Sequence, residues 1–171
     1  MHRTFVALDF ETANNDRTSV CAIGLVRVEH GEIVARRMVL VRPPTTDFRH
    51  ARVHGIRAVD VARSPAFPDA WASILPLFRG ASCIAAHSAP FERGVLAHCA
   101  ERWRIGKPTA PFLCTMMLAR QVWNVRPTTL PDVARRLGIA LVHHDALSDA
   151  EASARIVLAA TSSKRHALSV G

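Results

Sequence analysis

Residues 3–15 read RTFVALDFETANN, and residues 19–43 read SVCAIGLVRVEHGEIVARRMVLVRP. The first stretch predicts a strand over 4–11, with Val6, Leu8 and Phe10 on one side. Side chains alternate across a strand, so Asp9 and Glu11 share the other side. The second stretch predicts two long strands around a turn at His30-Gly31, a hairpin that can join the first strand in an antiparallel meander. Working outward, the chain then changes to short apolar runs alternating with helical periodicity. Three strands followed by strand–helix alternation predict an α/β fold, a mixed sheet with helices packed on it.

The downstream elements are a loop with a helical turn over 43–66, a helix over 67–79 shortened or kinked by Pro76, and a buried strand at 82–86 (SCIAA). A helix follows over 88–103, with Phe91, Val95, Leu96, Cys99 and Trp103 as its apolar stripe. FLC at 112–114 suits a fifth strand, and 115–123 a helix. Thr129 caps the next helix and Gly138 ends it. The last helix is expected to start at SDAE, where Ser148 and Glu151 match a capping box. Residues 1–161 form one domain, and 162–171 read as a flexible tail.

The 171 residues carry a formal charge of +8, which favours anionic partners such as nucleic acid. Arg42, Arg49, His50, Arg52, His54, Arg57 and Arg63 crowd one stretch, which also suits a solvated loop. No apolar run approaches the ~18 residues of a membrane span, and no membrane association is expected. Cys21, Cys83, Cys99 and Cys114 are widely spaced without a CxxC pair, which argues against a zinc site and fits reduced cysteines in a cytoplasmic protein.

Asp9 and Glu11 repel each other, and burying either unpaired is costly, so something positive should sit between them. An exposed edge pair is the bland alternative. Three further stretches add weight. AHSAPFERGVL (86–96) runs a strand into a helix with Glu92 in its first turn, and HHDALSDAEA (143–152) places His144 five residues before Asp149. The helix dipole alone could explain either acid. VHGI (53–56) puts a histidine and a glycine in the basic loop.

Together D-F-E-T, H-G-I, A-H-x-A-x-F-E and H-D-A-L-S-D-A resemble the DEDDh family of 3′–5′ exonucleases, to which the proofreading epsilon subunit of bacterial DNA polymerase III and RNase T belong. CTMMLAR and LPDVARRLGI look like the family too, and the resemblance covers roughly residues 4–160. It implies an RNase H-like five-stranded sheet and a pair of Mg²⁺ or Mn²⁺ ions held by Asp9, Glu11, Glu92 and Asp149. It implies His144 as general base, and Thr12, His54 and Phe91 as contacts to the terminal nucleotide. For Phe91, core packing remains the alternative. His143 has no role in the resemblance and reads as a solvent-exposed neighbour, and His87 reads as structural. Two positions depart from the family pattern: Ser88 replaces the usual Asn, and Glu92 the usual Asp.

The reaction implied is hydrolysis from the 3′ end of DNA or RNA, single-stranded by preference, releasing 5′-mononucleotides. No polymerase segment accompanies these motifs, so a polymerase or repair partner would act in trans. A non-catalytic nucleic-acid- or protein-binding domain on the same fold is the competing reading, and a small-molecule phosphatase is a third.

Overall fold

The structure, a computed structural model, describes residues 4–169. Its strands are β1 (Phe5–Thr12), β2 (Val20–Glu29), β3 (Glu32–Leu40), β4 (Ile84–Ala86) and β5 (Phe112–Cys114). They form one sheet in the order β3-β2-β1-β4-β5, with β1–β2 and β2–β3 antiparallel and β1–β4 and β4–β5 parallel. This is the meander joined to a parallel half that the sequence predicts. The hairpin turns where His30 and Gly31 both take positive φ (52° and 93°), the geometry that matches the twist of the flanking strands.

The helices are α1 (Ala51–His54), α2 (Ala58–Val61), α3 (Phe67–Ile74), α4 (Ala89–Trp103), α5 (Thr115–Trp123), α6 (Leu130–Leu137) and α7 (Ala146–Ser169). Alternation along β1 sorts two cores. Val6, Leu8 and Phe10 meet Phe67, Trp71, Phe78, Val95 and Leu96 on one side. The aromatic rings there pack closely, Phe67 on Trp103 at 5.2 Å and Trp71 on Phe78 at 5.3 Å between centroids. Phe5 and Ala7 meet Ala150, Ala154 and Val157 of α7 on the other side. Alanines four apart on α7 let the helix lie close to the sheet. Pro76 acts as expected: α3 stops at Ile74 and a 3₁₀ turn carries Leu75–Phe78.

The final helix corrects the expected cap. It starts at Ala146, and Asp145 caps it by accepting from the Ser148 backbone N–H at 2.8 Å. The Ser148 hydroxyl instead accepts from Val142 N–H, and Glu151 is held by Arg36 and Arg155. Cationic partners 115 residues and 4 residues away outcompete a local capping box. The helix also continues through 162–169, where the sequence reads as a tail. Ser162 and Ser163 bond back to the carbonyls of Leu158 and Ala159, and no Gly or Pro interrupts. Residues 170–171 lie outside the described residues. Among the described residues no helix is long and apolar enough to cross a membrane.

Candidate active site

β1 and β4 run parallel and end at one edge of the sheet, where open α/β sheets place their sites. Asp9 and Glu11 leave β1 there, on the α7 side. Asp149 arrives from the first turn of α7, and Gly24 explains how. It pairs with Asp9 in the strand register, and a Cβ at position 24 would lie 1.8 Å from the Ala146 carbonyl oxygen. Only a glycine lets the start of α7 sit this close to β2. Glu92 arrives from the first turn of α4, directly after β4. Asp9, Glu11 and Asp149 each place a carboxylate oxygen within 4.8 Å of the others. Glu92 stands outside that trio, yet it is the strongest charged neighbour acting on Asp9.

Removal from water and mutual repulsion act together on these acids. Burial, then Glu92 and Asp149, raise the Asp9 carboxyl well above its usual range. Burial, then Asp149 and Asp145, push Glu11 up to about 8. Burial pushes Glu92 up to about 8 as well, with Asp149 adding to it and the Glu92 backbone N–H opposing. Burial raises Asp149, against the pull of His143 and of the His144 backbone N–H. Glu92 Oε2 and Asp149 Oδ1 are buried without a hydrogen-bond partner. Buried polar atoms are normally satisfied, and a lone buried carboxylate oxygen is costly. Converging carboxylates with orphaned oxygens are a donor set that fits a divalent cation.

Both histidines of the 143–144 pair reach Asp149. His143 Nδ1 lies 2.9 Å from Asp149 Oδ2, and the His144 backbone N–H donates to the same oxygen at 3.2 Å. The two rings stack at 3.8 Å. His144 sits at φ +67°, and burial followed by the neighbouring His143 lowers its pKa. Its ring is therefore held neutral, able to accept a proton. The exposure of His143 matches the sequence reading, but its contact with Asp149 was not foreseen.

Thr12 and His54 are joined to each other. His54 Nδ1 accepts from Ile56 N–H at 3.1 Å, so Nε2 carries the proton and donates to the Thr12 carbonyl at 3.2 Å. His50 Nδ1 meets the same carbonyl at 3.0 Å. Two histidines thus fix the strand end that presents Glu11. Phe91 is 38 % exposed and belongs to neither core, so packing does not account for it. His87 is structural as expected: Nε2 donates to the Thr128 carbonyl at 2.8 Å, and Nδ1 meets the Thr115 hydroxyl at 3.0 Å.

Residues 6–157 match the RNase T exonuclease family. The chain belongs to the exonuclease family. Among exonuclease-family relatives it is 30% identical over 162 residues to the PolC-type DNA polymerase III of Thermotoga petrophila, which covers 91% of this chain and 12% of that one. It is 30% identical over 146 residues to exodeoxyribonuclease 10 of Escherichia coli K12, covering 81% of this chain and 60% of that one. The chain thus spans a small part of the first relative and three-fifths of the second. The fold matches exonuclease X solved in complex with 5′ overhanging duplex DNA, with a TM-score of 0.74 at 24% identity, covering 92% of this chain and 91% of that one. The RNase H-like mixed sheet expected from the resemblance is the fold of this exonuclease neighbour.

Three residues of the site went unread in the sequence. His50 reads in the sequence as one more basic loop residue and His143 as a solvent-exposed neighbour, and Asp145 carries no assigned role there. A signal existed only for Asp145, since an acid one residue before an apolar-periodic run marks a helix start.

Proposed function

We propose that the chain is a metal-dependent 3′–5′ exonuclease that hydrolyses phosphodiester bonds at the 3′ end of DNA or RNA and releases 5′-mononucleotides. The observation that carries this reading is the convergence of Asp9, Glu11 and Asp149, with Glu92 from a third element as the strongest charged neighbour of Asp9 and two buried oxygens left unpartnered. These four would hold two Mg²⁺ or Mn²⁺ ions. Such a pair, when bound, supplies the positive charge that stabilises both attacking and leaving oxygens in an in-line displacement at phosphorus.

The chain's own residues do the rest. His144 takes the proton of the attacking water as the new P–O bond forms and the bond to the 3′ oxygen breaks. His50 and His54 hold the Thr12 carbonyl, which keeps the end of β1 and Glu11 in place. Phe91 offers an exposed aromatic face to the terminal nucleotide. Its partner is a nucleic acid 3′ end, single-stranded by preference. The DNA-bound exonuclease X neighbour and the +8 charge support that class. The PolC-type relative suggests a polymerase or repair partner, and unpaired cysteines fit a cytoplasmic setting.

Product analysis on 3′- and 5′-labelled DNA and RNA oligomers tests the reading. Mononucleotides should appear from the 3′ end with Mn²⁺, cease with EDTA, and return with excess metal. Full cleavage without metal would overturn the metal mechanism. Binding without any cleavage would leave a nucleic-acid-binding domain on this fold. Glu92→Asp should stay active, while Glu92→Gln should lose metal affinity and rate. A Glu92→Gln protein equal to wild type at every Mn²⁺ concentration would make Glu92 a helix-terminus acid only.

A further inference from the structure

Gly94 stands inside α4, where glycine is a poor helix former. The space of its missing side chain is filled. A Cβ there would lie 1.8 Å from Arg17 Nη1 and 2.9 Å from Arg17 Cζ. The guanidinium of Arg17 thus rests against the helix backbone, one turn from Phe91. The loop that carries it is firmly built. Ala13 N–H donates to the Ser19 carbonyl at 2.8 Å, and Ser19 N–H donates to the Asp16 carbonyl at 2.9 Å. The Asp16 carboxylate accepts from both the backbone N–H and the hydroxyl of Thr18, and Cys99 Sγ donates to the Arg17 carbonyl.

Arg17 is exposed and makes no ion pair among the described residues. The adjacent Asp16 does not serve it: the cations that face Asp16 are Arg102 and His98, further along α4. The Arg17 guanidinium lies instead against Gly94, in the half of α4 that also carries Phe91 and Glu92. An exposed cation thus stands one helical turn from an exposed aromatic ring, on the helix that carries Glu92 into the cleft.

We propose that Arg17, seated on Gly94, binds a backbone phosphate of the strand whose 3′ nucleotide occupies the cleft. This rests on the nuclease reading above and adds a binding residue to it. The planar fork of a guanidinium matches phosphate oxygens two at a time. A firmly built loop and a seat against Gly94 restrict where the side chain can go, which reduces the ordering cost of binding.

The test uses the full chain, a single-stranded oligonucleotide with Mn²⁺ over a salt series, and fluorescence anisotropy of the same strand with a blocked 3′ end. Arg17→Ala should raise KM and Kd about tenfold, the worth of one charge-assisted contact, with kcat little changed. The slope of log Kd against log salt should fall by about 0.7, one phosphate on a single strand. Gly94→Ala should weaken binding alike while melting no lower than wild type, because alanine favours the helix and displaces only the mobile end of Arg17. The double variant should be no worse than either single, since the two act as one unit. Unchanged KM and salt slope in both variants of an active wild type would overturn this inference alone. A wild type that binds no oligonucleotide would overturn it together with the nuclease reading.

Discussion

His144 carries a left-handed backbone, φ +67°, that a side chain with a Cβ rarely adopts. The reason lies in what that backbone does: its N–H reaches Asp149 Oδ2 while its ring stays neutral. His144→Gly should therefore hold or raise the melting temperature, since glycine relieves about 1 kcal/mol of strain, while turnover falls about 10²–10⁴-fold. His143→Ala separates the two rings. It removes a bond to Asp149 but should cost far less turnover. If His143→Ala were the more damaging of the two in single-turnover assays, the proton acceptor would be His143. Much of this was legible. Strand alternation alone puts Asp9 and Glu11 on one side, and helix starts point to Glu92 and Asp149. The clamp on Thr12 was not, because His50 and His54 meet it across 38 and 42 residues of chain. Nothing local in a basic loop reports such a contact.

At the scale of elements, the seat of α7 on β2 sets where Asp149 stands. Gly24→Ala would drive a methyl into the backbone of Ala146 and Leu147, which cannot yield as a side chain can. We expect a loss of about 1–3 kcal/mol in denaturant titrations, with turnover falling further than stability explains, because Asp149 moves with the helix. A Gly24→Ala protein of wild-type stability and rate would show that α7 tolerates a shift. The strands of the meander and the helices of the second half were readable from period and from caps such as Thr129, whose hydroxyl accepts from Asp132 N–H. The start of α7 was misread because Ser148 and Glu151 fit a local motif that long-range partners displace. Gly24 itself gave no signal: glycine in a strand marks close approach, but not of what.

Across the whole molecule, the buried acids link folding to pH. Folded, Glu11 and Glu92 keep their protons up to about 8, whereas in an unfolded chain they release them near 4.5. The folded chain binds more protons between those values, so its stability falls as pH rises through that window. The melting temperature of metal-free protein should drop between about pH 5 and pH 8, and Mn²⁺ should raise it more at pH 8, where protons no longer compete for the carboxylates. A metal-free melting temperature that stayed level or rose would place the acids in water-like surroundings. One feature of the architecture also bears on how the protein survives at high concentration. β3 ends the sheet, and no strand pairs its outer side among the described residues. Such an edge is a template on which a second chain can grow fibrils. Exposed Val34 and Met38 would favour that growth, and Arg36 and Arg37 sit between them. Arg36 is further pinned by Glu151. The two arginines should therefore blunt this edge, and removing the charge of Arg37, which Glu151 does not hold, should shorten the protein's life in concentrated solution.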